Sequence, residues 1–354
     1  MKIGIDTQST LGRKTGIGLY AAQLLRALRQ VAPQHEYLAL SSGRTEEMRT
    51  DQRLRWQQFG LPRRARARRV DLLHVTGFDA PLWKPCPVVL TVHDLIGLLF
   101  PGNLPPISRF YWSRWLPRSV RWADRIIVDS QHTKGDVNQL LGISAEHIEV
   151  IHLGLDKSLR PVQDENVLES VRDKYGLPQM FVLYLGTLEP RKGLDTLIAA
   201  YANLARDIPH HLVIAGKRGW RTELLYQQVE ALGLDRHVHF TGYMPDEDLP
   251  ALYSLAQLFV FPSQYEGFGL PPLGAMACGV PVVCTNSSSL PEVVGDAALL
   301  VPPNEAESLA AAMLHVLEDH ELQAKMRFSG LEQAARFTWE KTAEATLRVY
   351  ERLL

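Results

Sequence analysis

Three cysteines in 354 residues are too few to staple a fold. Cys86, Cys278 and Cys284 lack the spacing of a metal site and read as buried thiols of a reducing compartment. No apolar run approaches the roughly 18–20 residues of a membrane span. MKIGIDTQST opens on a strand-like run rather than a secretory leader, so a cytoplasmic protein is expected. There is no P-loop ending in Gly-Lys-Ser/Thr and no six-residue dinucleotide fingerprint. No short-period repeat is present, which argues against a solenoid. Charge of neither sign is in excess: the net charge is −1, so the molecule as a whole is not built to bind a polyanion.

What is present is a soluble composition, 46% hydrophobic and 22% charged, in a chain long enough for two domains. The charge is unevenly placed. Residues 1–160 hold 23 Lys+Arg against 14 Asp+Glu, and residues 161–354 hold 15 against 25. The first half is therefore expected to face something acidic, or else to attract the second half.

Short apolar runs alternate with helical patterns. Ile3 to Ile5, Tyr37 to Leu40, Leu72 to Val75, Val88 to Val92, Arg125 to Val128 and Ile148 to Ile151 are near-continuous, the mark of parallel strands covered on both faces. The pattern restarts at Phe181 to Leu185 and runs on through His211, Val238, Leu258, Val282 and Ala298. Two successive βαβ series predict an α/β protein of two doubly wound, Rossmann-like domains, joined within Gly154 to Asn166, with the cleft between them as the default site. The expected domains are 1–160 and 161–337, with closing helices over Ser308 to Asp319 and Trp339 to Leu354.

Loops after the strands carry the chemistry. The turn after Asp6 ends at Gly16-Ile17-Gly18, where bare backbone N–H groups at a helix start can approach an anion. GTLEPRKG, from Gly186, places Arg191 and Lys192 ahead of a helix, where the macrodipole disfavours cations; an anion held between them and the helix end resolves the conflict. Lys217 to Gly219 offers the same chemistry more weakly. His93 follows a strand and has the pKa range to donate a hydrogen bond or a proton. A plain turn, an exposed basic pair and a satisfied structural histidine are the alternative readings of these loops. In YEGFGLPPLGAMACG, the Glu266 carboxylate sits with Gly267 and Gly269 ahead of a helix that Pro271 and Pro272 open and Gly279 ends. A carboxylate for sugar hydroxyls beside helix-end N–H groups for phosphate fits a sugar phosphate better than a nucleic acid. Asp246-Glu247-Asp248 formally matches a metal-binding Asp-x-Asp but reads as a helix N-cap with first-turn acids.

Taken together, LTVHDLIGLLFP, VIHLGLD, LYLGTLEPRKGLDTLIAAY, LVIAGKRGW, VHFTGYMPDEDLPALYS and FVFPSQYEGFGLPPLGAMACGVPVV, in this order along the whole chain, resemble a family 4 glycosyltransferase of the GT-B fold. The resemblance implies a retaining transferase that needs no metal or other cofactor and takes a UDP- or GDP-linked hexose, mannose or glucose in type. It implies that Arg191 and Lys192 bind the donor diphosphate with help from backbone near Gly16 and Gly18. His93 then lies near the reaction centre and Glu266 holds a sugar hydroxyl. Gly186, Gly267, Phe268, Gly269 and Leu270 surround the donor, and Tyr243 and Met244 line the base pocket. It also implies that the last helix returns to the first domain. Gly274 departs from the pattern: the family has there a second Glu that binds the ribose. That opens a second reading, a catalytically weakened binding protein; a hydrolase or phosphorylase on the same fold is a third. On the acceptor side, Arg63 to Arg69 (RRARARR) and Ser108 to Arg125 mix arginine with aromatic residues. They suit an anionic membrane surface or a lipid-linked glycan, and no nucleic-acid motif accompanies them.

Overall fold

The near-continuous apolar runs form two separate parallel sheets. A computed structural model describes residues 1–11, 16–43, 48–77, 79–103 and 106–354. The first sheet holds β1 (Lys2–Asp6), β2 (Glu36–Leu40), β3 (Leu72–Val75), β4 (Val88–Val92), β5 (Arg125–Val128) and β6 (Ile148–Val150), in the order β2-β1-β3-β4-β5-β6. The second holds β7 (Phe181–Leu185), β8 (His211–Ala215), β9 (Val238–Gly242), β10 (Leu258–Phe261), β11 (Val282–Thr285) and β12 (Leu299–Val301), in the order β12-β11-β10-β7-β8-β9. Strands β3, β4, β10 and β11 are buried at every residue, whereas edge strand β2 is buried only at Tyr37 and Leu40, as helix-covered centres and half-open edges require.

The chain divides into Met1–Gly154 with Phe337–Leu354, and Leu155–Arg336. The first unit recovers its last piece through the helix Trp339–Glu351, which lies on the helix Gly16–Val31. Polar ties fix it there. Thr342 Oγ1 donates to the His152 carbonyl at 2.8 Å, and Tyr350 hydroxyl meets His74 Nδ1 at 2.6 Å. His74 is fully buried, and burial holds its pKa down at about 3, so the ring is neutral. Its Nε2 meets Thr91 Oγ1 at 2.8 Å, which Tyr20 hydroxyl also reaches at 2.9 Å.

Gly154 allows the returning backbone to cross. A Cβ there would lie 2.3 Å from the Trp339 nitrogen and 2.6 Å from the Thr338 carbonyl carbon. Backbone cannot swing aside as a side-chain tip can, so Gly154→Ala is expected to cost about 1–3 kcal/mol. A drop in the urea midpoint measures this; an unchanged midpoint would show the crossing to be loose.

Several helical regions escape the periodicity argument, Gln131–Leu141 and Glu165–Tyr175 among them. His320–Ala334 follows Ala306–Glu318 directly, with Asp319 accepting from Leu322 N–H at 2.9 Å. It buries only the narrow seam Met326, Gly330 and Ala334, while Phe328 and Leu331 face solvent, so no apolar stripe marks it. Residues 50–68 are also helical throughout, with a π-helical turn at Trp56–Gly60 between Thr50–Arg55 and Leu61–Arg68. Among the described residues no helix is long and apolar enough to cross a membrane.

Candidate active site

Ligands of open parallel sheets collect beyond the carboxyl ends of the strands, where the strand order reverses. In the second unit that point lies between β7 and β10. The loops leaving these neighbours are 186–193 and 262–269, and they bring Arg191, Lys192 and Glu266 together. The loop after β8 closes on them: a Cβ on Gly216 (φ 138°) would lie 1.9 Å from the Gly186 carbonyl oxygen, and Gly186 N–H donates to Ala215 at 3.0 Å. Gly193 takes φ 67°, tight against the Pro262 carbonyl, and lets the basic turn Pro190–Lys192 enter the helix Leu194–Ala202.

Glu266 is the hub. Lys192 Nζ is ion-paired to its Oε1, Ser263 Oγ donates to the same oxygen at 2.5 Å, and Arg191 Nη1 stands 3.6 Å away. None of the three falls on Oε2. Burial alone would raise this carboxyl. The adjacent Lys192 and Arg191 cations and the bonds from Lys192 and Ser263 more than offset that and hold it below its ordinary value. Glu266 N–H donates to Ser288 Oγ at 2.8 Å, and Ser289 Oγ donates to the carbonyls of Glu266 at 3.0 Å and Phe268 at 2.6 Å. Arg191 is braced in turn by the Tyr265 carbonyl at 3.0 Å and Glu189 Oε2 at 3.3 Å. The anion that two cations at a helix start require is thus, in this state, the chain's own carboxylate.

Other expected donor residues also lie in the second unit. Gly269 (φ 118°) turns into the helix Leu270–Ala277. Pro271 and Pro272 have no N–H, so of the first three helical residues Leu270 alone has a backbone donor. Gly267 is half-buried and Phe268 is buried. Tyr243, just past β9, is 64% exposed, whereas Met244 is buried, so of this pair Tyr243 is the side chain that stands in solvent. Gly274 is buried within its helix, and a Cβ there would lie 3.2–3.4 Å from the Tyr253 hydroxyl and ring. Tyr253 hydroxyl donates to the Pro271 carbonyl at 3.1 Å, so the phenol covers the position where the family pattern has its second carboxylate.

In the first unit the order reverses at β1 and β3. His93, at the end of β4, has both ring nitrogens engaged: Nδ1 with Asp129 Oδ2 at 2.6 Å and Nε2 with the Thr76 carbonyl at 2.9 Å. With both nitrogens engaged, the ring matches the satisfied structural histidine, the alternative reading of this position. Burial acts against the charged ring, but the Asp129 carboxylate, its hydrogen bond, the Thr76 carbonyl and Asp94 prevail and raise the His93 pKa. Burial also pushes Asp129 up against the pull of His93. The geometry fixes the direction for His93, since both its nitrogens face acceptors. The ring packs edge-on to Tyr20 at 4.8 Å. A Cβ on Gly77 would lie 2.9 Å from Ile17 Cγ2 and 3.7 Å from His93 Cδ2, so the turn at Gly16 and Gly18 neighbours His93 through Gly77. A Cβ on Gly16 itself would meet open space, and Gly12 to Thr15 lie outside the described residues.

Asp248 precedes the helix Leu249–Leu255 but does not cap it with its side chain. Its Oδ2 instead accepts from Lys174 at 2.7 Å and Tyr175 hydroxyl at 2.6 Å, because these two donors sit above it on a neighbouring helix. Among the described residues no three His, Cys, Asp or Glu side chains are grouped to hold a metal ion. Sequence reasoning missed Ser263, Ser288 and Ser289. A serine run in TNSSSLPE directly after β11 is the signal that was available, since that loop adjoins the one after β10.

The description "Glycosyltransferase Family 4" matches residues 15–159, and "Glycosyl transferases group 1" matches residues 169–333. The O-antigen chain mannosyltransferase B of Escherichia coli is 38% identical over 75% of this chain and 70% of its own length. A serotype-specific mannosyltransferase of Escherichia coli is 35% identical over 77% of this chain, which spans only 34% of that longer protein. Among solved structures, a sucrose-phosphate synthase from Thermosynechococcus elongatus superimposes with a TM-score of 0.78 over 99% of this chain and 98% of that one, at 22% identity. The chain belongs to family 4 of the glycosyltransferases and has their GT-B fold.

Proposed function

We propose that the protein transfers a hexose, mannose in the first instance, from a nucleoside diphosphate sugar to a glycan or lipid-linked saccharide, with retention and without a metal ion. The observation that carries this is the Arg191–Lys192–Glu266 cluster at the strand-order reversal of the second unit. Departure of the nucleoside diphosphate concentrates negative charge on its outer phosphate. Lys192 and Arg191, already fixed by Glu266, are placed to stabilise that charge without reorganising. Glu266 Oε2 is the oxygen for a sugar hydroxyl. Attack from the leaving-group face lets the departing phosphate take the acceptor's proton, so the bond made and the bond broken balance. His93 acts by holding its loop rather than by donating a proton. The mannosyltransferase relatives favour mannose. The free thiols of Cys86, Cys278 and Cys284 fit a cytoplasmic setting, and the arginine-rich segments fit contact with an anionic lipid surface.

A thermal-shift screen of UDP-, GDP- and ADP-sugars tests the donor, because a ligand of the folded state raises its melting temperature by mass action. One donor is expected to stand out and to lose its effect in Glu266→Gln. No shift with any donor would overturn the reading. The second reading, a weakened binding protein, draws on Gly274. Restoring the carboxylate adds a charge-assisted hydrogen bond of roughly 1.5–3 kcal/mol, or about 10- to 150-fold in affinity. Gly274→Glu is therefore expected to tighten the donor, at the cost of moving Tyr253. Calorimetry showing unchanged or weaker binding would dismiss the ribose role of this position.

A further inference from the structure

The first unit contains a cavity of about 460 Å³, within the range of small-molecule sites of roughly 300–1,000 Å³. It opens between the helical stretch from Thr50 and the one that includes Phe110 to Trp115. Leu54, Phe59, Leu82, Trp83, Phe110 and Trp115 are among its walls, and the lining is almost wholly apolar. Phe59, Leu82, Trp83 and Phe110 are also exposed, Phe110 to 61%, so the apolar surface continues out of the mouth. Both walls include a π-helical turn, Trp56–Gly60 and Tyr111–Trp115, an irregularity common at functional sites.

The cavity is built rather than left over. Asp79, fully buried, ties its walls together: Gln58 donates to the carboxylate at 2.8 Å, Tyr111 hydroxyl at 3.1 Å and Trp115 Nε1 at 3.2 Å. Gln58 also accepts from Leu82 N–H at 2.9 Å, which fixes the third wall. A buried carboxylate is costly unless so satisfied, and the same bonds hold the cavity open. Its rim is cationic. Arg63 lies over the Phe59 ring at 5.7 Å, Arg66 lies over Trp83 at 5.9 Å, and Arg55 stands at the lining. Asp51 is the acid of the lining, and it is paired with Arg49 at 3.4 Å.

An apolar cavity with an arginine rim matches an amphiphile with an apolar chain and an anionic head. We infer that it holds the hydrocarbon chain of a membrane lipid phosphate, and so grips a lipid-linked acceptor by its anchor. This rests on the glycosyltransferase reading for its biological sense, but its test does not.

Geranylgeranyl phosphate, titrated into the full chain with tryptophan fluorescence as readout, is expected to bind saturably at one site. It should bind at least tenfold more tightly than geranylgeraniol or inorganic phosphate alone. Leu82→Asp and Phe110→Ser, both at exposed positions, should each weaken it at least tenfold while leaving the donor-induced thermal shift unchanged. Should Leu82→Asp fail to fold, Phe110→Ser alone decides. Vesicles containing phosphatidylglycerol should show the same order of affinity among the variants. Binding no tighter than inorganic phosphate, or variants that bind like the native protein, would overturn the inference. So would dimerisation without lipid that the same substitutions abolish, since a second copy would then be the occupant. Lipid binding without any donor binding would instead count against the glycosyltransferase reading alone.

Discussion

Lys192→Ala is expected to lower kcat by about 10²–10³ and to destabilise the second unit by about 3–5 kcal/mol. Both effects have one source. Lys192 and Glu266 are buried and paired, and Ser263 donates to the same carboxylate oxygen as Lys192. Removing the cation leaves a buried carboxylate with Arg191 at 3.6 Å as its remaining cation. A double substitution separates the two effects. Lys192→Met with Glu266→Gln removes both charges, so stability should recover well beyond the sum of the single losses, whereas transfer should not recover at all. The pH dependence has a definite sign. The Glu266 pKa in the folded protein lies below its ordinary value of 4.5, so its contribution is present above that value and is lost as pH falls through the folded pKa. Without Lys192 burial gains the upper hand, and the acid-unfolding midpoint should move to higher pH. A variant with the native urea and acid midpoints would show the pair to be energetically idle. Native transfer rates would remove Lys192 from the stabilisation of the leaving group.

The sheets were legible because central parallel strands leave an unbroken apolar signature, as at Val88 to Val92 and Leu258 to Phe261. The site loops were legible for a related reason: glycines and charges directly after such strands have few structural uses. Arg191, Lys192 and Glu266 could thus be named, but their mutual pairing could not, because residues 74 positions apart meet only through the order of strands β7 and β10. His93 shows the same limit. Its place at a strand end is local, whereas its partner Asp129 comes from the end of β5, so its engaged nitrogens have no trace in the local sequence. The cover that Tyr253 lays over Gly274 comes from a neighbouring helix and is equally silent. The helix His320–Ala334 was hidden for another reason, since a buried seam of one methionine, one glycine and one alanine at every fourth position does not stand out as hydrophobic.

Asp129→Asn is expected to reverse the pH dependence of the first unit. In the native protein the His93 pKa is raised above its ordinary value of 6.5, so the pair's contribution is fully present below about pH 6.5 and is lost as pH rises through the folded value. With asparagine at 129 the chief cause of that rise is gone, and burial then pushes the ring below 6.5. Acid would now have to charge a buried imidazole, so stability should fall toward low pH instead. At pH 6 the loss should reach about 3–5 kcal/mol, the usual cost of breaking a buried ion pair from one side. Ring-nitrogen NMR of His93 with urea midpoints at pH 5.5 and 8.5 reads both quantities. A native His93 that titrates below 6.5 would overturn the assignment. The effect should extend to transfer, because the ring is wedged between Tyr20 and Gly77, and Gly77 in turn supports Ile17 at the start of the first helix. His93→Ala should therefore lower kcat even though neither ring nitrogen is available to a substrate. If instead it left kcat unchanged while destabilising the unit, His93 would be a structural residue with no bearing on the turn at Gly16 and Gly18.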